Sequence, residues 1–326
     1  MRAIQIESTG GPEMMQLVDV PVGEPGPGQV RVRHGACGIN FIDTYYRSGL
    51  YKTQLPVVLG VEAAGTVEAV GAGVTHLAVG DRVGYSANQP GSYAEARVLD
   101  ATPVFALPDA IDVPTAAAMM LKGLTVCYLL RRTQPQGGLA PGDAIVWHAA
   151  AGGVGLIACQ WAKAMGLVVI ATAGSDEKCE LARQHGATHA INYRSEDVVA
   201  RVRELTSGRG VKVVYDSVGK DTWERSLDCL APFGLMVTFG NASGPAPAFS
   251  PLTLSQKGSL YVTRPTLATH LAQRAIGEQM AAELFEMVTS GKVKIEISGR
   301  YRLEDAAQAH RDLESRKTTG SLILTP

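Results

Sequence analysis

The middle of the chain alternates short apolar runs with amphipathic segments. An apolar run at 144–147 leads into a glycine-rich turn, and apolar residues then recur at helical spacing from Val154 to Met165. The same order returns with predicted strands at 167–172, 190–192, 211–216 and 235–239, and predicted helices at 175–185, 196–206 and 222–230. Strands that alternate with helices predict an α/β fold with a parallel, doubly wound sheet and right-handed crossovers.

The first 123 residues have a different pattern. Short alternating runs at 29–33 and 65–70 stand between turns rich in glycine and proline, which predicts an antiparallel, partly barrel-like β domain. Helices are predicted at 42–48 and 113–130.

After residue 264 the pattern predicts a strand-and-helix tail. A last parallel strand is predicted at 259–263, and the tail consists of a long helix at 267–290, strands at 295–298 and 301–303, a helix at 304–315 and a strand at 320–324. We expect the terminal strand to return to the first domain, which makes that domain discontinuous. The predicted division is 1–123 with 265–326, around a nucleotide-binding domain at 124–264.

The turn after the run at 144–147 carries the first candidate chemistry. Ala149, Gly152 and Gly155 follow the Ala-x-x-Gly-x-x-Gly form of the dinucleotide fingerprint. Gly152 and Gly153 let the backbone approach a diphosphate, and Gly155 lets the helix pack closely on the strand. A glycine turn is weak evidence alone, but its place on the first strand of the series favours a Rossmann domain. His148, just before the turn, is expected to be structural.

The end of the second predicted strand indicates which cofactor binds. A site that selects NAD carries an acid there for the ribose hydroxyls, but Ala173, Gly174 and Ser175 supply none. Ser175, Lys178 and the helix N-terminus can take a 2′-phosphate, so we predict NADPH. Asp176 and Glu177 leave ribose binding open, and Ser175 and Lys178 can instead be a helix cap and a surface charge.

Composition narrows the class of protein. A chain of 326 residues with 46% hydrophobic residues fits two domains, and a net charge of −1 gives no field for nucleic acid or membrane. We see no apolar run of about 20 residues, and the N-terminus enters a strand pattern directly, so we expect no signal peptide. Five widely spaced cysteines favour a reducing cytoplasm.

The order of these parts resembles the medium-chain dehydrogenase/reductase superfamily. Within it the chain is similar to the zinc-independent NADPH quinone oxidoreductases, the group that includes zeta-crystallin. The segments that carry the resemblance are 40–43, Gly80-Asp81-Arg82-Val83, 121–125, 149–160 with Lys163, 215–219 and 239–241. The resemblance implies a GroES-like, β-barrel-type domain, a Rossmann domain, a quinone substrate and a homodimer, which we expect to pair through the strand near 259–263.

The resemblance also assigns site residues. It places Asn40 and Thr125 at the nicotinamide, and Tyr193 and Arg316 with Lys178 at the 2′-phosphate. Taken with the residue arguments above, the predicted catalytic group is Asn40, Tyr45, Tyr51 and Thr125. The remaining predicted cofactor contacts are Asp43, Gly152, Gly153, Val154, Gly155, Gly174, Ser175, Ser217, Phe239, Gly240 and Asn241.

Bland alternatives stay open for several of these residues. Asp43 can be an ordinary helix residue, expected to be ionised at neutral pH unless its surroundings perturb it strongly, and Asn241 can be a turn former. Tyr45, Tyr46 and Tyr51 can form an aromatic platform for a flat substrate or simply pack at the domain surface.

Two positions argue against a catalytic metal. Zinc alcohol dehydrogenases of the superfamily use Gly-x-Cys-His and Gly-His-Glu segments, and here Asn40 and Val61 stand in the places of the cysteine and histidine. An amide and an isopropyl group do not build a tetrahedral zinc site. We therefore expect no metal, and we expect Cys37 and Cys127 to pack as small apolar residues.

Three functions remain in competition. The first is NADPH-dependent quinone reduction. The second is reduction of an activated C=C bond in an enone or enoyl thioester with the same cofactor. The third is a single-stranded RNA-binding or structural, crystallin-like role, which the neutral charge and 6% aromatic content make the weakest.

Overall fold

The computed structural model describes residues 1–326, and the chain divides into two compact units. The first unit comprises Met1–Leu124, Leu267–Ser290 and Ile295–Pro326, and the second comprises Thr125–Thr266 and Gly291–Lys294. The sequence boundaries were placed after residues 123 and 264, and the short return of 291–294 to the second unit was not anticipated.

The chain begins with eight strands and two helices. The strands are β1 (Arg2–Ile6), β2 (Gln16–Asp19), β3 (Gln29–Ile39), β4 (Val57–Val58), β5 (Glu62–Val70), β6 (Arg82–Ser86), β7 (Ala96–Asp100) and β8 (Val104–Ala106). The helices are α1 (Phe41–Ser48) and α2 (Val113–Arg131), with a 3-10 turn at Pro12–Met14.

The middle of the chain alternates strands and helices as the sequence predicts. The strands are β9 (Ala144–Trp147), β10 (Val168–Ala173), β11 (His189–Asn192), β12 (Val211–Asp216), β13 (Leu230–Thr238) and β14 (Tyr261–Thr263). The helices are α3 (Gly153–Ala164), α4 (Asp176–Gln184), α5 (Val198–Leu205), α6 (Trp223–Asp228) and α7 (Leu252–Gln256).

The last part of the chain differs from the prediction in two places. Its elements are α8 (Leu267–Leu271), α9 (Arg274–Thr289), β15 (Ile297–Arg302), a 3-10 turn at Leu303–Asp305, α10 (Ala306–Glu314) and β16 (Ser321–Thr325). The single helix predicted at 267–290 is two helices, because Gln273 adopts an extended backbone (φ −106, ψ 108) and starts α9. The two short strands predicted around residue 300 are one strand, β15.

The first unit is built on two sheets. The larger has seven strands, with β15-β16-β3-β5-β6-β8 in order and β7 also paired to β3. The terminal strand β16 runs antiparallel to β3, with Leu322 opposite Ile39 and Leu324 opposite Cys37. The return of the C-terminus to this sheet makes the first unit discontinuous. The smaller sheet has the order β2-β1-β4.

The second unit contains a six-stranded parallel sheet in the order β11-β10-β9-β12-β13-β14. Counted from β9, this is the order 3-2-1-4-5-6 of the Rossmann fold, in which ligands bind at the carboxyl ends of the central strands. The buried residues Val146, Ile170 and Val214 form its centre. The predicted GroES-like and Rossmann fold classes are confirmed.

Helix α2 is long and apolar enough, by length and composition, to cross a membrane. The sequence analysis found no such run, so that statement was wrong. In the structure 78% of the apolar stretch of α2 is buried inside the protein, and a buried core helix meets the same criteria of length and composition.

Candidate functional site

The glycine turn after β9 is shaped by one strained residue and one close approach. Ala149 has a φ of 54°, in the left-handed region, and starts the turn. A Cβ on Gly155 would lie 2.5 Å from the carbonyl oxygen of Ala150 and 2.6 Å from that of Ala149. The last glycine of the fingerprint is therefore required by the close packing of α3 on the turn.

The N-terminus of α3 offers an anion site. Gly152 is the N-cap residue, and no side chain caps this end. The first N–H groups of an α-helix have no intrahelical acceptor and lie at its positive end. A Cβ on Gly152 would meet only the carbonyl oxygen of Ala149, at 3.3 Å. Gly152, Gly153 and Val154 are half-buried, so their backbone is accessible to a phosphate.

A buried hydrogen-bond network lies at the base of this turn. His148 Nδ1 lies 2.8 Å from Thr172 Oγ1, and its Nε2 lies 3.0 Å from Ser226 Oγ. Ser226 and Thr222 donate to Asp216 Oδ2 at 2.9 and 2.6 Å. Because Ser226 donates to Asp216, its oxygen accepts from His148, which assigns the proton to Nε2. Burial lowers the pKa of His148, so a neutral imidazole ties the ends of β9, β10 and β12 together.

The tip of β10 brings together Ser175, Lys178 and Tyr193, three of the residues predicted to meet the 2′-phosphate, while Arg316 lies in the first unit. Ser175 caps α4 by accepting from the Lys178 N–H at 3.3 Å. The hydroxyl of Tyr193 lies 2.5 Å from where a Cβ of Gly174 would be, so the tyrosine ring covers that glycine. Burial, and then the neighbouring charge of Arg194, lower the pKa of Lys178.

Arg194 is a cation that sequence reasoning missed. Its guanidinium is close enough to Lys178 to affect that residue's pKa, and its side chain is exposed. Two cations therefore lie at the carboxyl ends of β10 and β11, where the fold binds the ribose of a dinucleotide. Its position directly after Tyr193, which was predicted at the 2′-phosphate, is the sequence signal that could have identified it.

The ends of β12 and β13 bring Ser217 and the 239–241 segment together. The Cβ position of Gly240 would lie 2.8 Å from Cα of Ser217 and overlap its carbonyl oxygen, so only glycine fits. The ring of Phe239 lies 5.7 Å from that of Trp147 at the end of β9. Asn241 is buried, with 8% of its surface exposed. These residues line the same edge of the sheet as the glycine turn.

In the first unit, Asn40 is held by a buried carboxylate. Its Nδ2 donates to Glu62 Oε2 at 2.7 Å, and Lys122 Nζ donates to the same oxygen at 3.2 Å. Glu62 Oε1 accepts from the Leu121 N–H at 2.7 Å. Glu62 is fully buried and Lys122 is 5% exposed. Sequence reasoning assigned Glu62 and Lys122 no role, although Lys122 lies in the segment 121–125 that carries the family resemblance and Glu62 lies beside Val61, which stands in the place of the zinc-binding histidine.

Asp43 lies inside the unit rather than on a ligand-facing surface. Its side chain is 0% exposed, and its Oδ2 accepts from the Asn40 N–H and the Tyr93 hydroxyl, both at 2.8 Å. Burial raises the pKa of Asp43 to about 7. Burial therefore perturbs Asp43 strongly, which is the condition under which it is not simply ionised at neutral pH, and Asp43 fixes the start of α1 from within.

A chain of buried polar side chains continues from Tyr93. Its hydroxyl lies 3.1 Å from His310 Nε2, and Arg47 Nη1 lies 2.9 Å from His310 Nδ1. Arg47 also forms an ion pair with Glu314 at 2.7 Å. Burial lowers the pKa of His310 to about 3, so its neutral ring accepts from Arg47 and connects α1 to α10.

The three tyrosines form one aromatic cluster. The Tyr45 and Tyr51 rings are 5.3 Å apart, and the Tyr46 and Tyr51 rings 5.8 Å apart, both edge to face. Tyr45 is 8% exposed.

The two remaining predicted site residues lie apart from this cluster along the chain. Thr125 is buried on α2 at the start of the second unit, and Arg316 is exposed in the first unit with a φ of 57°.

Comparison with known proteins identifies both units. The alcohol dehydrogenase GroES-like domain matches residues 26–109, and the zinc-binding dehydrogenase family matches residues 153–284. A quinone oxidoreductase of Pseudomonas aeruginosa is 55% identical, over 100% of this chain and 99% of its own. The chain belongs to the quinone oxidoreductase family of the medium-chain dehydrogenases/reductases.

Solved structures of the family superpose over the full length. The quinone oxidoreductase of Pseudomonas syringae is 52% identical with a TM-score of 0.97, covering 100% of this chain and 99% of its own. The quinone oxidoreductase of Escherichia coli, solved in complex with NADPH, is 49% identical with a TM-score of 0.97 and full coverage of both chains. The predicted family is therefore confirmed.

The matched family is described as zinc-binding dehydrogenase, so the two positions where its zinc enzymes carry a cysteine and a histidine show whether a zinc site is present here. Asn40 is committed to Glu62 through its amide, and Val61 is 1% exposed in the core. No group of three or more His, Cys, Asp or Glu side chains is arranged to hold a metal ion. Cys37 and Cys127 are fully buried, and burial raises the pKa of the Cys37 thiol to about 12.

Proposed function

We propose that the protein catalyses NADPH-dependent reduction of quinones. The observation that carries the proposal is the pair of cations, Lys178 and Arg194, at the tip of β10, where a site selective for NAD carries an acid. Full-length relatives named quinone oxidoreductases support the acceptor. NADPH supplies a hydride when bound.

The residues of the second unit fit this cofactor. The uncapped N-terminus of α3 would hold the diphosphate, and the half-buried backbone of Gly152, Gly153 and Val154 leaves room for it. Lys178 and Arg194 would hold the 2′-phosphate, with Tyr193 beside them. The His148 network would keep the turn rigid, so that little ordering is needed on binding.

In the first unit, Asn40 and the tyrosines would contact and orient a flat ring of the ligand. Glu62 accepts from the amide Nδ2 of Asn40, which fixes the orientation of that amide. Tyr45, Tyr46 and Tyr51 would present aromatic edges to a flat acceptor. A quinone that accepts a hydride becomes a stabilised phenolate, so the main contribution of these residues would be positioning.

The test is the oxidation of NADPH, followed by its absorbance at about 340 nm, with a panel of quinones and a panel of enones. We expect turnover with quinones. After exhaustive chelation, with metal removal checked by elemental analysis of the protein, the rate should be the same. Turnover with enones alone would replace the proposal by C=C reduction. Absence of turnover with both, together with binding of single-stranded RNA, would replace it by a binding role.

We also propose that the protein acts as a cytoplasmic homodimer. Strand β14 is one of the two edges of the sheet, and Tyr261 on it is 46% exposed. An open edge is a template for pairing with a second copy. None of the five cysteines forms a disulfide and all five are buried, which suits a reducing compartment. Light scattering of the native protein and of Val262→Pro, which removes one backbone N–H of β14, tests the dimer. A native monomer, or an unchanged dimer in the variant, would contradict it.

A further inference from the structure

The carboxylate of Asp176 is held by a neighbouring strand. Asp176 is the first residue of α4, directly after the N-cap Ser175, and it is exposed. Its Oδ1 accepts a hydrogen bond of 2.8 Å from Asn192 Nδ2. Asn192 is the last residue of β11 and lies opposite Ala173, the last residue of β10. The bond therefore lies beside the strand tip where the cofactor's ribose is expected.

The orientation of the Asn192 amide is determined by its surroundings. Its Oδ1 accepts from the Arg194 N–H at 3.1 Å, so its amino group must face Asp176. Its own N–H donates to Glu196 Oε1 at 2.9 Å, and its carbonyl oxygen accepts from the Ser195 and Glu196 N–H groups. Asn192 is thus built into a tight turn that presents its amide to Asp176.

An acid at this position would work against a 2′-phosphate. Asp176 is adjacent to Ser175 and two residues from Lys178, so its charge opposes the cations there. A free carboxylate at a strand tip accepts from ribose hydroxyls and favours NADH, while it repels the extra phosphate of NADPH. Any group that withholds the carboxylate shifts the preference toward NADPH.

We propose that Asn192 is a specificity-determining residue, which occupies an oxygen of the Asp176 carboxylate so that it is less available to a ribose hydroxyl, and so keeps the site selective for NADPH. The inference rests on the proposed NADPH dependence. Asn192 acts through Asp176 and contacts no reacting atom. Its effect is on the ratio of the two cofactor affinities and not on affinity in general.

The test is a double-mutant cycle of Asn192→Ala and Asp176→Asn, read by fluorescence titration of NADPH and NADH without substrate. Asn192→Ala should lower the NADPH-over-NADH affinity ratio by about threefold, since exposed charge interactions are modest. The same change made in Asp176→Asn protein should leave the ratio unaltered. Glu180→Gln, which removes one exposed negative charge further along α4, is the control for net charge.

The outcomes separate the inference from the cofactor assignment. Parallel weakening of both cofactors in Asn192→Ala would mean a purely structural turn and would overturn the inference. A ratio that falls equally in the Asp176→Asn background would overturn it too, because the effect would not pass through Asp176. A native protein with no preference for NADPH would overturn the proposed cofactor and, with it, the inference.

Discussion

The ammonium of Lys122 lies 3.2 Å from Oε2 of Glu62, and both groups are buried. The same oxygen accepts from Asn40, so side chains from α2, β5 and the start of α1 meet at one atom. A buried ion pair is retained without loss of stability only when its remaining hydrogen bonds are made. Here the Leu121 N–H satisfies the other oxygen of Glu62.

Lys122→Met should destabilise the protein strongly. It leaves the Glu62 carboxylate buried without its cation, and breaking such a pair costs roughly 3–5 kcal/mol. Urea unfolding measures the loss, with the exposed Lys292→Met as control. Adding Glu62→Gln to Lys122→Met should recover part of it, because the unpaired charge is then gone. A loss below about 1 kcal/mol, typical of a surface pair, would contradict this account.

Asp43 should give the protein a characteristic pH dependence. Burial raises the pKa of Asp43 to about 7, whereas in the unfolded chain the Asp43 carboxyl loses its proton at about pH 4. Between these values the folded state binds the extra proton, so the contribution of Asp43 to stability falls as pH rises and stays low above pH 7. Asp43→Asn mimics the protonated acid and should lack this loss.

The measurement is the free energy of unfolding of native protein and Asp43→Asn from pH 4 to pH 8. The difference should shift in favour of the variant by up to about 4 kcal/mol as pH rises. His34 and His310, whose pKa values are lowered to about 4 and about 3, give the opposite slope below their usual pKa. They are present in both proteins, so the difference isolates Asp43. A constant difference would mean that Asp43 is ionised throughout.

The sequence predicted the second unit well because its signals are local. The strand at 211–216 was predicted with its observed ends, since a run of apolar residues bounded by glycine and aspartate marks a buried strand. The glycine turn was predicted because its spacing reflects one close approach of backbone to backbone. The break at Gln273 was missed, because its neighbours continue a helical pattern and only packing sets the extended backbone there.

The sequence could not predict the polar clusters of the first unit, since their members are distant in the chain. Glu62 is 22 residues from Asn40 and 60 from Lys122, and no spacing rule joins them. Asp43 has the same local context as any acid in a first helical turn, and only its complete burial changes its titration. The proximity of Arg194 to Lys178 depends on the turn after β11, which no local sequence pattern predicts.

Lys178→Ala should weaken NADPH and spare NADH. Only NADPH carries the 2′-phosphate, and a charge-assisted hydrogen bond contributes roughly 1.5–3 kcal/mol. Fluorescence titration of both cofactors measures the effect, with Lys292→Ala as a distant control. An equal loss for both cofactors would remove Lys178 from the 2′-phosphate site. Arg194→Ala should act in the same direction.

Gly155→Ala should distort the diphosphate site. Its Cβ would lie 2.5 and 2.6 Å from two backbone carbonyl oxygens, which cannot rotate away as a side chain can. Overpacking of this kind costs roughly 1–3 kcal/mol. We expect lower stability and weaker binding of NADPH and NADH alike, because both contain the diphosphate. Gly152→Ala, whose Cβ would meet a single atom at 3.3 Å, should lose less stability than Gly155→Ala while it also weakens the binding of both cofactors.

The last prediction concerns proton donation to the substrate. Hydride transfer to a quinone gives a stabilised phenolate, which can take its proton from water, so no tyrosine hydroxyl should be essential. Tyr45→Phe and Tyr51→Phe keep the rings, which pack edge to face at 5.3 Å, and remove only the hydroxyls. Each variant should therefore retain most of its kcat.

Steady-state kinetics with one quinone, at several pH values, measure the effect. Tyr46→Phe is the matched control, because the Tyr46 hydroxyl donates to the Asn88 carbonyl oxygen at 3.3 Å and is expected to take no part in the reaction. Loss of a true general acid lowers the rate by about 10²–10⁴-fold. A loss of that size in Tyr45→Phe or Tyr51→Phe, with a changed pH profile and unimpaired NADPH binding, would show that the hydroxyl donates a proton. It would then favour reduction of an enone, whose carbanion needs one.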